Sequence, residues 1–195
     1  MTVAAVVLAA GRGSRLGASS VAKPLLEYRG RPLVAWALDA AVASGLRPVV
    51  LVVGYEGDRV ARVAAELGGV TIVPAPEWAD GISQSLRVAL EALAADLAVD
   101  AVCVGLADQP RVGAEAYRRV AAAIESGAPL AVATYDGRRG NPVAIARTLW
   151  PVARALSGDA GARQLMDGRE VEVDCTGTGD ASDVDTLDDL RSLEE

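Results

Sequence analysis

A chain of 195 residues, 51% of them hydrophobic and 23% charged, is long enough for one domain with a full core and leaves no room for a second catalytic domain. Its net charge of −7 argues against a nucleic-acid surface or an anionic membrane as partner, although a local cluster of cations could still hold a nucleotide. The absence of histidine and the presence of only two cysteines, Cys103 and Cys175, exclude zinc sites and Ser-His-Asp or Cys-His catalysis. Any chemistry must run on carboxylates, lysine, arginine or a metal.

In chain order, the apolar run VAAVVL reads as a strand that opens into the loop LAAGRGSRLG, with Lys23-Pro24 beyond it. The stretch PLVAWALDAAVAS reads as a helix with Pro32 near its start and Gly45 at its stop. PVVLVV, VTIV and AVCVGL read as further strands buried on both faces, separated by the helices DRVARVAAEL and SQSLRVALEALAADL. AEAYRRVAAAIES is a fourth helix, closed by Gly127.

Beyond residue 129 the pattern predicts two strands about a turn at Asp136-Gly137, short helices, and a strand at EVEVD. Thr186 then starts a terminal helix, with Asp189 three positions on as a capping-box variant. Alternation of this kind predicts a single domain over 1–195 with a three-layer α/β/α, Rossmann-like fold and a mostly parallel, mixed sheet. No apolar run approaches the roughly 18 residues of a membrane span and the N-terminus lacks a basic leader, so the expected setting is soluble and cytoplasmic.

Small residues beside Arg12, Arg15 and Lys23 suit an anion held by backbone N–H groups. Neither common phosphate loop fits. A Walker loop needs lysine directly after its last glycine, but Gly17 is followed by Ala18 and the lysine waits until Lys23. The dinucleotide fingerprint counted from Gly11 meets Leu16 where its third glycine belongs.

What remains, LAAGRGSRLG followed by Lys23, resembles the signature of the MobA-like nucleotidyltransferases: molybdenum-cofactor cytidylyl- and guanylyltransferases and their sugar-nucleotide relatives. GISQSL, LADQP, GNPVAI, GDAGAR and DVDTLDDL follow in the order that family carries them, so the resemblance runs from Val6 to about Leu190. Three positions depart from it: Asn141 stands where histidine is common, Leu187 where proline is, and Leu106-Ala107-Asp108 where members write Pro-Ala-Asp.

The resemblance implies transfer of CMP from CTP to the phosphate of a molybdenum pterin cofactor, with release of pyrophosphate. It implies Mg2+ held by Asp108 and Asp185, with Asp183 the competing ligand. Lys23 would bridge the α-phosphate and the acceptor phosphate, and Arg15 would hold the leaving phosphates. Nucleotide contacts fall to Leu8, Ala9, Ala10, Gly11, Arg12, Gly13, Gly81, Ser83 and Ser85, with Ser83 alternatively a helix cap. Acceptor contacts fall to Asn141, Asp159 and Arg163, and a molybdoenzyme or its chaperone is the implied protein partner. Still open are GTP or a sugar phosphate as substrate, and a cofactor-delivery protein without turnover.

Overall fold

The computed structural model describes residues 1–13, 21–159 and 161–194. Seven strands form one sheet: β1 (Thr2–Ala9), β4 (Val49–Val53), β5 (Val70–Pro74), β6 (Val99–Leu106), β7 (Leu130–Tyr135), β8 (Arg138–Ala146) and β9 (Val171–Asp174). Two further strands of two residues each, β2 (Glu27–Tyr28) and β3 (Arg31–Pro32), form a separate hairpin. The sheet order is β5-β4-β1-β6-β8-β7-β9, and β8 alone runs against the rest.

Side chains of β1 alternate between two cores, as its pleat requires. Val3, Ala5, Val7 and Ala9 meet α1 (Leu33–Ala43), α2 (Gly57–Ala65) and α4 (Ala114–Glu125) on one face. Ala4, Val6 and Leu8 meet α3 (Ile82–Ala94) and α5 (Trp150–Arg154) on the other. The result is the expected three-layer α/β/α arrangement with a mixed, mostly parallel sheet. A smaller cluster of Tyr28, Leu33, Val184 and Leu193 fastens the β2–β3 hairpin to α6 (Leu187–Glu194).

Local signals act where the sequence puts them. Gly127 follows α4 with φ +101°, and the amides of Gly127 and Ala128 return to Ile124 O and Ala123 O, a Schellman closure. Asp136 and Gly137 both take positive φ, giving the two-residue hairpin turn that matches strand twist. Thr186 and Asp189 exchange side-chain-to-backbone hydrogen bonds at 2.6 and 3.1 Å, closing the capping box.

VTIV departs from expectation. It forms β5, yet Thr71 and Ile72 are exposed, because the strand lies at the sheet edge and only one side of it is paired. Among the described residues no helix is long and apolar enough to cross a membrane.

Gly105, next to the end of β6, lies against the hydroxyl of the buried Tyr117 on α4, where a β-carbon would collide with the phenol. Gly105→Ala should therefore destabilise by about 1–3 kcal/mol, a fall in Tm of several degrees in thermal unfolding. Adding Tyr117→Phe should recover part of the loss.

Candidate active site

From β1 the chain builds β4 and β5 to one side, then crosses back to lay β6 on the other, so the strand order reverses between β1 and β6. Loops leaving the carboxyl ends at such a point diverge and open a crevice. Here a cleft of about 470 Å³ is lined by Leu8, Ala10, Gly11, Arg12 and Gly13 from the opening loop, by Trp78, Gly81 and Ser85 around the start of α3, and by Asp108 and Asp159.

Two glycines permit this closeness. A β-carbon at Gly54 would strike the Ala10 carbonyl and Trp78, and one at Gly81 (φ +110°) would strike the backbone of Gly158 and Asp159.

Lys23 opens a single 3-10 turn, Lys23–Leu25, which Pro24 suits because a first-turn N–H is not needed there. Its backbone N–H donates to Arg12 O at 3.4 Å, drawing the described ends of the opening loop together. The residue is 9% exposed, and its Nζ donates to Asp108 Oδ2 at 2.6 Å and to Asp185 Oδ1 at 2.7 Å. Burial works against the ammonium, but the Asp108 charge and the hydrogen bonds to both carboxylates outweigh it and hold the pKa above the ordinary lysine value.

Asp108 stands two residues past β6. Asp185 precedes the Thr186 cap, and Val184 N–H donates to Asp108 O at 3.0 Å, so backbone pairing fixes the two acids to each other. Lys23 is also the only lysine in the sequence, all other basic residues being arginine. That count alone singles out this position in the sequence.

The pair of acids suits a divalent cation. The second oxygen of Asp108, Oδ1, is buried without a hydrogen-bond partner among the described residues. Among the described residues no group of three or more acidic or thiol side chains surrounds one point there. Two carboxylates with the remaining positions left to phosphate oxygens and water is the set magnesium favours.

Asp183 is held by Gln109 rather than by the Lys23 ammonium that bonds Asp108 and Asp185. Its Oδ1 accepts from Gln109 Nε2 at 2.8 Å, and partial desolvation with the Asp108 charge pushes its pKa above the usual carboxylate value. Gln109, fully buried and also bonded to Ala181 O, is a residue the sequence reading passed over. Its only signal is its place after Asp108.

A second cavity, about 260 Å³, adjoins the cleft and shares Leu8, Ile82, Leu106 and Asp159 with it. Asn141, Arg163 and Asp183 line it, so the three acceptor candidates Asn141, Asp159 and Arg163 come together although they are distant in sequence.

Other residues are placed elsewhere. Ala9 packs in the core beneath the loop. Ser83 is not among the described residues that line the cleft and does not cap α3: Gly81 holds the cap position, and the Ser83 hydroxyl is buried without a hydrogen-bond partner among the described residues while its N–H donates to Gly158 O at 3.2 Å. Arg139 is taken up by Glu170 and Glu172. Arg15 lies outside the described residues.

Residues 5–173 match the MobA-like NTP transferase domain. The chain belongs to that family. It is 34% identical over 204 residues to nicotine blue oxidoreductase of Paenarthrobacter nicotinovorans, covering 98% of this chain and 96% of the relative. The structure of Rv0371c from Mycobacterium tuberculosis H37Rv superposes with a TM-score of 0.84 at 32% identity, over 99% and 97% of the two chains, and that protein is also known in complex with manganese. The bifunctional protein GlmU of Maricaulis maris is 36% identical over 132 residues, which are 68% of this chain but only 28% of GlmU.

In this MobA-like chain, Lys23→Ala would remove the ammonium that Asp108 and Asp185 share. Asp185 keeps 40% of its side chain exposed, so the cost should fall between the roughly 1 kcal/mol of a surface pair and the 3–5 kcal/mol of a buried one. Loss of the shared ammonium leaves like charges closer to each other, so protonation of carboxylates by acid, or a divalent cation, should offset part of the deficit. Thermal unfolding of the variant against pH, with and without Mg2+, should show Tm depressed at pH 7 and partly restored by acid or by the metal.

Proposed function

We propose that the chain is a nucleotidyltransferase that moves CMP from CTP to the phosphate of a molybdenum pterin cofactor and releases pyrophosphate. The observation that carries the reading is the Lys23 ammonium bonded to both Asp108 and Asp185, with Asp108 lining the larger cleft.

An acceptor phosphate is already anionic at neutral pH and needs no general base, which suits a chain without histidine. The obstacle is repulsion between two polyanions. A magnesium ion held by Asp108 and Asp185 would supply neutralising charge at the phosphates. With the acids so engaged, the Lys23 ammonium is free to turn toward the α-phosphate and the incoming phosphate, and its compact charge acts most strongly when the two are closest.

Backbone N–H groups around Ala10, Gly11 and Gly13, with Arg12, would hold the triphosphate, and Arg15 would take the leaving phosphates. Gly81 and Ser85 would meet the base. Asn141, Asp159 and Arg163 would orient the acceptor in the second cavity, with the aliphatic Leu8, Leu106 and Val143 beneath a flat ring.

A second reading, an oxidoreductase, is favoured by the match over nearly the full length of a relative that carries that name. Such an activity gives no evident task to a lysine set between two carboxylates. Purified protein should release pyrophosphate from CTP with Mg2+ and a phosphorylated pterin, and CTP should raise Tm more than GTP does. Equal protection by GTP would remove the cytidine assignment, and consumption of NADH or NADPH without pyrophosphate release would replace the transferase reading. Asp108→Asn or Asp185→Asn should lower turnover by about two orders of magnitude, and Asp183→Asn by much less.

A further inference from the structure

We propose that Glu56 is a positioning residue, whose carboxylate fixes the backbone next to Lys23 and so sets where the ammonium stands between Asp108 and Asp185. Its kinetic consequence rests on the transferase reading of Lys23; its structural consequence does not.

Glu56 lies in the turn between β4 and α2, and this turn grips the opening loop at three points. Tyr55 N–H donates to Ala10 O at 3.0 Å. The Tyr55 ring sits under the Arg12 guanidinium at 5.2 Å, and its other neighbour is Trp78, ring to ring at 5.5 Å. Glu56 Oε2 accepts from Ala22 N–H at 2.6 Å, 34 residues away in sequence. Ala22 is wholly buried, so its N–H would otherwise be left without a partner at a cost comparable to a lost hydrogen bond.

A simple surface ion pair does not account for this geometry. Glu56 does pair with Arg59, at 2.5 Å, but through its other oxygen, Oε1. The residue also takes a left-handed backbone, φ +51°, which disfavours a non-glycine side chain, although Gly57 follows directly.

The Arg59 hydrogen bond and the Ala22 N–H both hold the Glu56 pKa below the ordinary value, so the acceptor is charged throughout the neutral range. Charge-assisted bonds of this kind are shorter and stronger than neutral ones. With Arg12 O receiving Lys23 N–H, the turn holds both described ends of the opening loop from one side.

The test uses the single lysine. An amine-acylating reagent applied to the intact protein can modify no other side-chain amine, and the extent at Lys23 is read by mass spectrometry of the peptide that contains it. Glu56→Gly and Glu56→Asn both tolerate the left-handed turn, and neither side chain reaches Ala22. Glu56→Gln keeps an oxygen acceptor at full length.

In Glu56→Gly and Glu56→Asn, Lys23 should acylate about tenfold faster than in the parent chain. The kcat for pyrophosphate release should fall about tenfold or more with a smaller change in KM, as misplacement near the reacting atoms demands. Glu56→Gln should retain most of both properties. Parent-like acylation in the Gly and Asn variants, or equal damage in Glu56→Gln, would overturn the proposal. If the parent chain releases no pyrophosphate from any nucleoside triphosphate, the transferase reading fails, and the acylation rates still decide the role of Glu56.

Discussion

One buried cation between two acids organises this molecule. Lys23 enters from the loop after β1, Asp108 from the end of β6 and Asp185 from the entry to α6, so the contact joins three segments that the sheet alone would leave independent. Taking an ammonium out of water is costly unless hydrogen bonds and opposite charge offset the loss, and here both are present. The same charges that hold the ligand-free chain together are those a polyphosphate and its metal would engage. Stability and the proposed chemistry therefore draw on one set of atoms.

The surroundings keep that contact in place. Val184 is buried in the cluster with Tyr28, Leu33 and Leu193, which joins the strand after Lys23 to the helix after Asp185. The Tyr28 hydroxyl donates to Leu193 O, and the Asp189 carboxylate accepts from the amides of both Asp185 and Thr186. These are backbone restraints on either side of the site. They limit how far the acids can shift without unpacking the C-terminal helix.

Much of this was legible in the sequence because the signals are local. Long apolar runs, Gly127 after α4, Asp136-Gly137 between strands and Thr186-Asp189 before α6 each act through neighbours in the chain, and each element formed where its signal stands. The β2–β3 hairpin gave no such warning, since two strands of two residues carry no period to read. VTIV has the composition of an interior strand, and only the order of the sheet makes it an edge. Ser83 looked like a cap, but the backbone of Gly158 meets its amide and moves the helix start to Gly81. Gln109 and Glu56 act across 74 and 34 residues, and no pattern within the chain marks such partners.

The wall between the two cavities has its own consequence. Leu8, Ile82, Leu106 and Asp159 belong to both, and the closeness of Gly81 to Gly158 leaves no slack between them. Ligands on either side of a common, tightly packed partition are thermodynamically linked: ordering the partition for one guest changes the work left for the other. By reciprocity, whatever factor the first guest lends to the affinity of the second, the second returns in equal measure. With the nucleotide in one cavity and the acceptor in the other, as proposed, the partition would serve as a balance between two substrates as well as a boundary.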